Sequence, residues 1–265
     1  MKTHVQSITY SLLTALLLTA GQAQAALDSA STSRLQALEA QPELAGELIY
    51  HGTTYALAEP DGQPLFRYER RLLTGPTGLT AAHLTRNPDG QLLIAETAQA
   101  SDDYQLQRFT TQNRQSGFSG AVEVSGDGRT LHYLLNDNGD ISRAEESLDA
   151  PAVTGPTLHG FILSHWAQLQ DGQEVPIRFI VLKEKQTYGF TVRLEQHSAS
   201  ETRFTITPSN LLIRWFIAPL QVVFDNERKT VLRYAGRVPP LHEVDGSLQD
   251  LDARVEYESV AARYR

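Results

Sequence analysis

The chain has 265 residues with no cysteine, and its 31 acidic side chains outnumber its 23 basic ones. A chain without cysteine cannot form a disulfide framework, attack a substrate through a thiolate or carry a thiol-linked lipid. Because the net charge is negative and no cluster of Lys and Arg stands out, nucleic acid and anionic lipid surfaces are poor candidate partners.

The first 25 residues have the layout of a secretory signal peptide. Lys2 and His4 precede the apolar run ITYSLLTALLLTA, and small residues stand at Ala23 and Ala25, which is typical of cleavage before Ala26. The apolar run is shorter than the about 20 residues of a membrane span, and no later run comes close to that length. We therefore expect a soluble periplasmic protein without a membrane span. Loss of Lys2 leaves 22 basic and 31 acidic side chains, a formal charge of −9.

Residues 26–43 are predicted to form a mobile segment of small residues followed by a short helix. Leu35 and Leu38 have helical spacing, and Ser31 or Ser33 can cap that helix. The rest of the chain, 44–265, is predicted to be a single antiparallel β domain. The segment 144–156, AEESLDAPAVTGP, is a candidate boundary inside it.

Alternation with a period of two predicts strands over most of this domain, as where Phe66, Tyr68 and Leu72 alternate with charged residues. Turn sequences such as EPDGQ at 59–63 and NDNGD at 136–140 follow one another closely, which indicates hairpins. The predicted fold is mainly β (α+β): a long, strongly curved antiparallel meander or open half-barrel of roughly a dozen strands. Two or three short helices are expected to pack on its concave side. Later strands are predicted at 175–183, 187–195, 202–207, 220–225, 230–235 and 253–259.

The stretch TLHGFILSHWAQLQDGQEV, residues 157–175, predicts a helix with an apolar stripe. Its histidines, His159 and His165, lie about 240° apart around a helix axis, so they do not form a metal-binding pair. We expect His165 to be a half-buried, hydrogen-bonded residue beside Trp166 rather than a catalytic base. The stretch is thus interpreted as a helix that covers the sheet.

A second helix is predicted within PSNLLIRWFIAP, residues 208–219, between a start signal and Pro219. The segment is apolar on every side, with Arg214 as its only charged residue. Such a helix is either buried in the mouth of a curved sheet or forms the wall of an apolar ligand cavity, and the two roles are compatible. The predicted ligand-binding residues are Leu212, Arg214, Trp215, Phe216 and Trp166.

Known catalytic motifs are missing. HEVDG at 242–246 lacks the second histidine of a zinc protease, and GFSGA at 117–121 lacks the last glycine of a nucleophile elbow. NDNGD at 136–140 lacks the later glutamate of a calcium loop. The sequence therefore predicts no catalytic residue, metal or cofactor. A carboxylate site built from distant residues, for example Glu47, Glu69 and Glu96, stays open, although solvated strand faces explain these residues better.

Two runs carry a resemblance. HWAQLQDGQEVPIRFIVLKEKQTYGFTVRL and TPSNLLIRWFIAPLQVVFDNERKTVLRYAG resemble the shared core of uncharacterised exported proteins of gamma-proteobacteria. The resemblance spans His165 to Gly236 and implies no catalytic residues. In architecture alone, an exported helix and long meander are similar to the lipoprotein carriers of the periplasm, whose open half-barrel holds acyl chains.

These observations leave three hypotheses. The first is a non-enzymatic periplasmic binding module for an apolar small molecule, lipid or acyl chain. The second is an interaction or scaffold protein that binds an envelope protein and has a filled core. The third is a hydrolase with an unrecognised site, which converging His and Asp or Glu residues with shifted pKa values would favour.

Export can be tested on the protein recovered from its own cells. We expect its intact mass to correspond to a chain that begins at Ala26, without a lipid increment, because the small residues precede that position and no cysteine is present. A retained leader would contradict the prediction, and so would a product that resists extraction from membranes with high salt.

Overall fold

Fifteen strands form one sheet in the computed structural model, which describes residues 46–59, 61–76, 78–210 and 217–260. These residues belong to one unit, Pro42–Arg265. The helices are α1 (Gly155–Ser164), α2 (Trp166–Gln170) and a 3₁₀ helix (Leu182–Glu184). The strands are β1 (Glu47–Ala56), β2 (Phe66–Gly75), β3 (Gly78–Arg86), β4 (Leu92–Ala100), β5 (Leu106–Asn113), β6 (Phe118–Val124), β7 (Thr130–Asp137), β8 (Asp140–Ser147), β9 (Ala152–Val153), β10 (Val175–Val181), β11 (Gln186–His197), β12 (Glu201–Pro208), β13 (Leu220–Asp225), β14 (Val231–Val244) and β15 (Ser247–Ser259).

The sheet consists of two meanders joined at their ends. The strand order is β8-β7-β6-β5-β4-β3-β2-β1-β15-β14-β13-β12-β11-β10-β9, and each pair is antiparallel except β9 with β10. Pairing of β1 with β15, for example Thr54 opposite Val255, joins the two halves. The prediction of a mainly β, open antiparallel sheet is confirmed, but the sheet has more strands than the dozen expected.

The strand count and lengths differ from prediction for local reasons. β9 has only two residues, too few for any alternation to show in the sequence. β14 continues past residue 235, although Pro239 and Pro240 indicate a break, because a register shift between Val238 and His242 accommodates the prolines. The hairpin of β14 and β15 is therefore longer than expected.

Side chains connect the two ends of the sheet. Arg178 in β10 lies 3.1 Å from the carboxylate of Glu146 in β8, and the Thr187 hydroxyl donates to the same carboxylate at 2.6 Å. Leu182 in the 3₁₀ helix occupies the space beside Gly120 in β6, where a Cβ would stand 2.4 Å from its Cδ2 atom. The sheet is open in its backbone pairing, yet its ends are in contact.

The histidine-containing stretch forms two helices rather than one. α1 begins after Thr154, earlier than predicted, and the chain breaks at His165, whose backbone leaves the helical region. The His165 ring donates from Nδ1 to the Phe161 carbonyl at 2.9 Å and stacks on the Phe161 ring. This hydrogen-bonded, half-buried role for His165 was predicted. The single apolar stripe was not correct, because every residue of α1 from Pro156 to Ile162 is buried.

Trp166, at the start of α2, packs into the main core. Its ring meets the rings of Phe204 and Phe224 edge to face, with centroids 5.1 and 5.6 Å away. The Lys229 ammonium group lies 3.9 Å from the centre of the indole. Trp166 thus holds α2 against β12 and β13.

Replacing Trp166 should therefore cost stability. We expect Trp166→Ala to lower the free energy of unfolding by about 3 kcal/mol, through lost aromatic packing. His165→Gln should cost about 1 kcal/mol, because glutamine removes one hydrogen bond on a half-buried residue. Urea denaturation of both variants gives the comparison, and an equal loss in the two would contradict the packing role of Trp166.

Candidate functional site

A cavity of about 510 Å³ lies between α1 and the sheet. Small-molecule sites have volumes of about 300–1,000 Å³, so it is large enough for a ligand. Its walls combine a group of apolar side chains with a smaller group of polar and ionisable ones. Apolar members include Phe109, Phe179, Phe190, Ile217 and Leu220, and ionisable members include Tyr68, His83, Glu96 and His159.

Two of the ionisable residues, His83 and Glu96, belong to one row of residues that crosses neighbouring strands. Tyr50 of β1 is opposite Arg70 of β2, and Arg70 is opposite His83 of β3. His83 is opposite Glu96 of β4, and Glu96 is opposite Thr111 of β5. Residues directly opposite each other lie on the same face of a sheet. We call these five residues the polar row.

Arg70 determines the tautomer of His83 and thereby the direction of the hydrogen bond between His83 and Tyr68. It is fully buried, and its Nη1 atom donates to the Pro156 carbonyl of α1 and lies 3.0 Å from His83 Nε2. A guanidinium group has no acceptor, so Nε2 must accept, and the neutral imidazole carries its hydrogen on Nδ1. That Nδ1 hydrogen then donates to the Tyr68 hydroxyl, its hydrogen-bond partner. The proton of Tyr68 is consequently left for another acceptor.

Burial keeps these groups neutral. The pKa of His83 lies well below its usual value, first because of burial and then because of the Arg70 charge and His159. Burial and Arg70 lower the pKa of His159 in the same way. Burial also raises the pKa of Tyr68 well above its usual value. At neutral pH both imidazoles are uncharged, and Tyr68 keeps its proton and can act as a donor.

Glu96 is the acidic residue of the polar row. Burial raises the pKa of its carboxyl group to about 7. In the described part of the chain no hydrogen bond or ion pair holds this carboxylate, which lines the cavity. Glu69 does not join it: as the neighbour of Tyr68 and Arg70 in β2 it faces the other side, 3.6 Å from Arg71. Glu47 is exposed at the start of β1.

The N-terminal turn of α1 closes the site. Gly155 lies against the polar row, where a Cβ would stand 3.5 Å from both Glu96 Oε2 and His83 Nδ1. One turn later, His159 Nδ1 lies 2.9 Å from the Tyr50 hydroxyl. Gly155 therefore brings the helix backbone close to both ionisable side chains without placing a side chain between them.

Four of the predicted ligand-binding residues, Leu212, Arg214, Trp215 and Phe216, lie outside the described residues. Ile217, the next residue, lines the cavity. Trp166 is not part of the cavity wall and belongs to the core around Phe204 and Phe224.

Sequence reasoning missed Tyr68, His83 and His159 as site residues. One signal was present: Arg70 lies on the same face of β2 as Phe66 and Leu72, both buried. A charged residue on an apolar strand face indicates a buried charge with partners.

Among residues 46–59, 61–76, 78–210 and 217–260, no group of His, Asp and Glu side chains is arranged to bind a metal ion. In the same ranges, no helix combines the length and the apolar character that crossing a membrane would require.

The chain was compared with family models, curated proteins and solved structures. No family model and no curated protein matches the chain. The crystal structure of Rv2717c from M. tuberculosis aligns over 86% of this chain and 97% of its own, with 13% identity and a TM-score of 0.23. A porin-like protein from Bacteroides uniformis aligns over 80% of this chain and 96% of its own, with 11% identity and a TM-score of 0.19. With scores this low, the residues of the site have to indicate the function.

The environment of Glu96 predicts a pH-dependent stability. Its folded pKa of about 7 exceeds the ordinary value of 4.5, so stability present below the ordinary value is lost as the pH rises through 7. Glu96→Gln cannot lose a proton there. Between pH 5 and pH 8 we expect the variant to gain about 2–3 kcal/mol of unfolding free energy relative to the unchanged protein. Urea denaturation at both pH values measures this gain, and Glu69→Gln controls for loss of a carboxylate; equal gains in the two variants would contradict the assignment.

Proposed function

We propose that the protein is a periplasmic binding module that holds an apolar molecule carrying one polar group in the cavity beside α1. The observation that carries the proposal is a cavity of about 510 Å³ whose wall combines aromatic and aliphatic side chains with a cluster of ionisable ones. The core of an envelope scaffold would be filled with side chains. A ligand-binding protein, in contrast, requires a cavity of this kind.

The contacts of α1 with the sheet bear on the shape of the binding site. α1 is buried around its circumference, its first turn contacts β2 through Arg70, and its His159 contacts β1 through Tyr50. The ends of the sheet are joined by Glu146 and Arg178. We propose that the sheet curves around α1 as an open half-barrel, with the cavity and the helix on its concave side.

The polar group of the ligand should be neutral. Tyr68 offers a donor, whereas Glu96 adds a negative charge as the pH rises through about 7. A ligand carboxylate beside Glu96 would place two negative charges in a site with little water, which is unfavourable. A carbonyl or hydroxyl group avoids this repulsion and can accept the hydrogen bond of Tyr68. The apolar remainder would gain about 25 cal/mol for each Å² buried against the aromatic wall.

We propose that a contact between the turn after β5 and strand β14 controls how the ligand enters. Gln115, in the turn between β5 and β6, donates from Nε2 to the Leu241 carbonyl at 2.8 Å. The Leu241 amide donates back to Gln115 Oε1 at 2.7 Å. Ser116 and Leu241 both line the cavity. Separation of this pair would open a route to the ligand site on that side.

Binding can be tested with 2-decanone as a neutral ligand and decanoic acid as its charged counterpart. Isothermal titration at pH 8 should show saturable binding of the ketone, and binding of the acid weaker by about tenfold or more. Thr54→Phe should weaken ketone binding by at least about tenfold, because Thr54 lines the cavity and the larger ring fills it.

Thr53→Phe is the matched control. Thr53 is adjacent in β1, and successive side chains of a strand point to opposite faces. Its ketone affinity should stay within about twofold of the unchanged protein. No ketone binding, or equal loss in the two variants, would contradict a ligand site in this cavity.

A further inference from the structure

We propose that the cavity also performs acid–base chemistry, in which Glu96 removes a proton from the carbon next to a carbonyl group of the bound ligand while Tyr68 donates a hydrogen bond to the carbonyl oxygen. The substrates would be apolar ketones, aldehydes or their unsaturated relatives. This inference rests on the proposed function, because the carbonyl compound must first bind in the cavity.

The geometry places both groups on the wall of one cavity. His83 links them: it is directly opposite Glu96 in the sheet, and its Nδ1 atom is hydrogen-bonded to the Tyr68 hydroxyl. No side chain projects between these groups from Gly155, where a Cβ would stand 3.5 Å from both Glu96 Oε2 and His83 Nδ1. A carbonyl compound bound in this part of the cavity therefore meets a carboxylate and a hydroxyl donor on the same wall. In acid–base catalysis, the acid and the base must first both reach the substrate; only then do their pKa values matter.

Tyr68 is suited to stabilise negative charge on oxygen. Because Arg70 donates to His83 Nε2, the imidazole donates to Tyr68, and the phenolic proton remains for an acceptor in the cavity. The buried positive charge of Arg70 lies behind this chain of hydrogen bonds. Donors that are already oriented, in a site with little water, stabilise the charge that develops on an enolate oxygen.

Glu96 is suited to accept the proton. The charged or titratable groups around it are His83 of β3, Tyr68 and Arg70 of β2, and His159 of α1. Burial lowers the pKa of both histidines and raises the pKa of Tyr68, so these groups do not titrate near neutral pH. Burial raises the pKa of Glu96 to about 7, which lies in the range where a carboxylate is both available and an effective base.

The proposed step balances without any cofactor or oxidant. The C–H bond next to the carbonyl group breaks and its proton moves to a carboxylate oxygen of Glu96. The electron pair of that bond forms a C=C bond, and the π pair of the carbonyl moves to oxygen, which accepts the hydrogen bond from Tyr68. The proton on Glu96 exchanges with water, and delivery of the new proton to the same carbon incorporates hydrogen from the solvent into the ketone. In a β,γ-unsaturated carbonyl compound, delivery to the γ carbon moves the double bond into conjugation.

The test measures deuterium uptake by 2-decanone in D₂O by NMR, with ketone affinity determined separately by titration calorimetry. The full-length protein should speed up exchange at the carbons next to the carbonyl, and the rate should rise with pH and level off above about 7. Glu96→Gln should lower the rate by about a hundredfold or more, and Tyr68→Phe by about tenfold to a hundredfold. Glu69→Gln, on the opposite face of β2, should leave the rate unchanged.

Gly155→Ala is a further variant that should fold normally. Gly155 is the first residue of α1, its φ is not positive, and a methyl group there meets its neighbours at ordinary contact distance. The methyl group would narrow the cavity beside Glu96 and His83, so exchange should fall by about tenfold or more while circular dichroism stays the same.

The outcomes separate the two proposals. Ketone binding with no exchange above that in protein-free buffer would overturn the acid–base chemistry and leave the binding function intact. Absence of ketone binding in the unchanged protein would overturn both. Exchange that is equally fast in Glu96→Gln would assign the chemistry to another group and overturn the role of Glu96.

Discussion

The buried guanidinium group of Arg70 is the interaction on which the site depends. A charge inside a protein is costly unless hydrogen bonds satisfy it. Arg70 finds one partner in the Pro156 carbonyl of α1 and another in His83 of β3. The first contact attaches the helix to the sheet. The second selects the tautomer of His83 and, through it, makes Tyr68 a donor to the cavity. One side chain thus links the position of α1 to the proton pattern of the site.

The position of His83 between Arg70 and Glu96 has a second consequence. Had Arg70 and Glu96 been opposite each other in neighbouring strands, their charges could have paired, and the carboxylate would have been a stable anion. Instead they occupy β2 and β4, with a neutral imidazole on β3 between them. Burial then dominates, and the pKa of Glu96 rises to about 7. The same separation makes this carboxyl group unfavourable for the folded state at high pH and useful for proton transfer.

The amino-acid sequence by itself determined the fold class, because strand alternation and turn chemistry are local properties. The alternation of Phe66, Tyr68 and Leu72 and the turn at 136–140 depend only on neighbouring residues. Local patterns also identified the half-buried, hydrogen-bonded character of His165. The continuous helix expected within residues 157–175 was wrong at His165, because the packing of Trp166 on Phe204 is a tertiary feature.

Only the tertiary structure decided where the site is. Tyr50 and His159 are separated by 109 positions and meet because α1 enters the sheet. His83 and Glu96 become neighbours through a strand register that alternation does not specify, since a shift of two residues preserves the pattern of faces. In the sequence, Glu96 is one of several carboxylates with the same local pattern as Glu47 and Glu69. Its distinction is its position on the cavity wall beside Gly155, which arises when distant segments pack together.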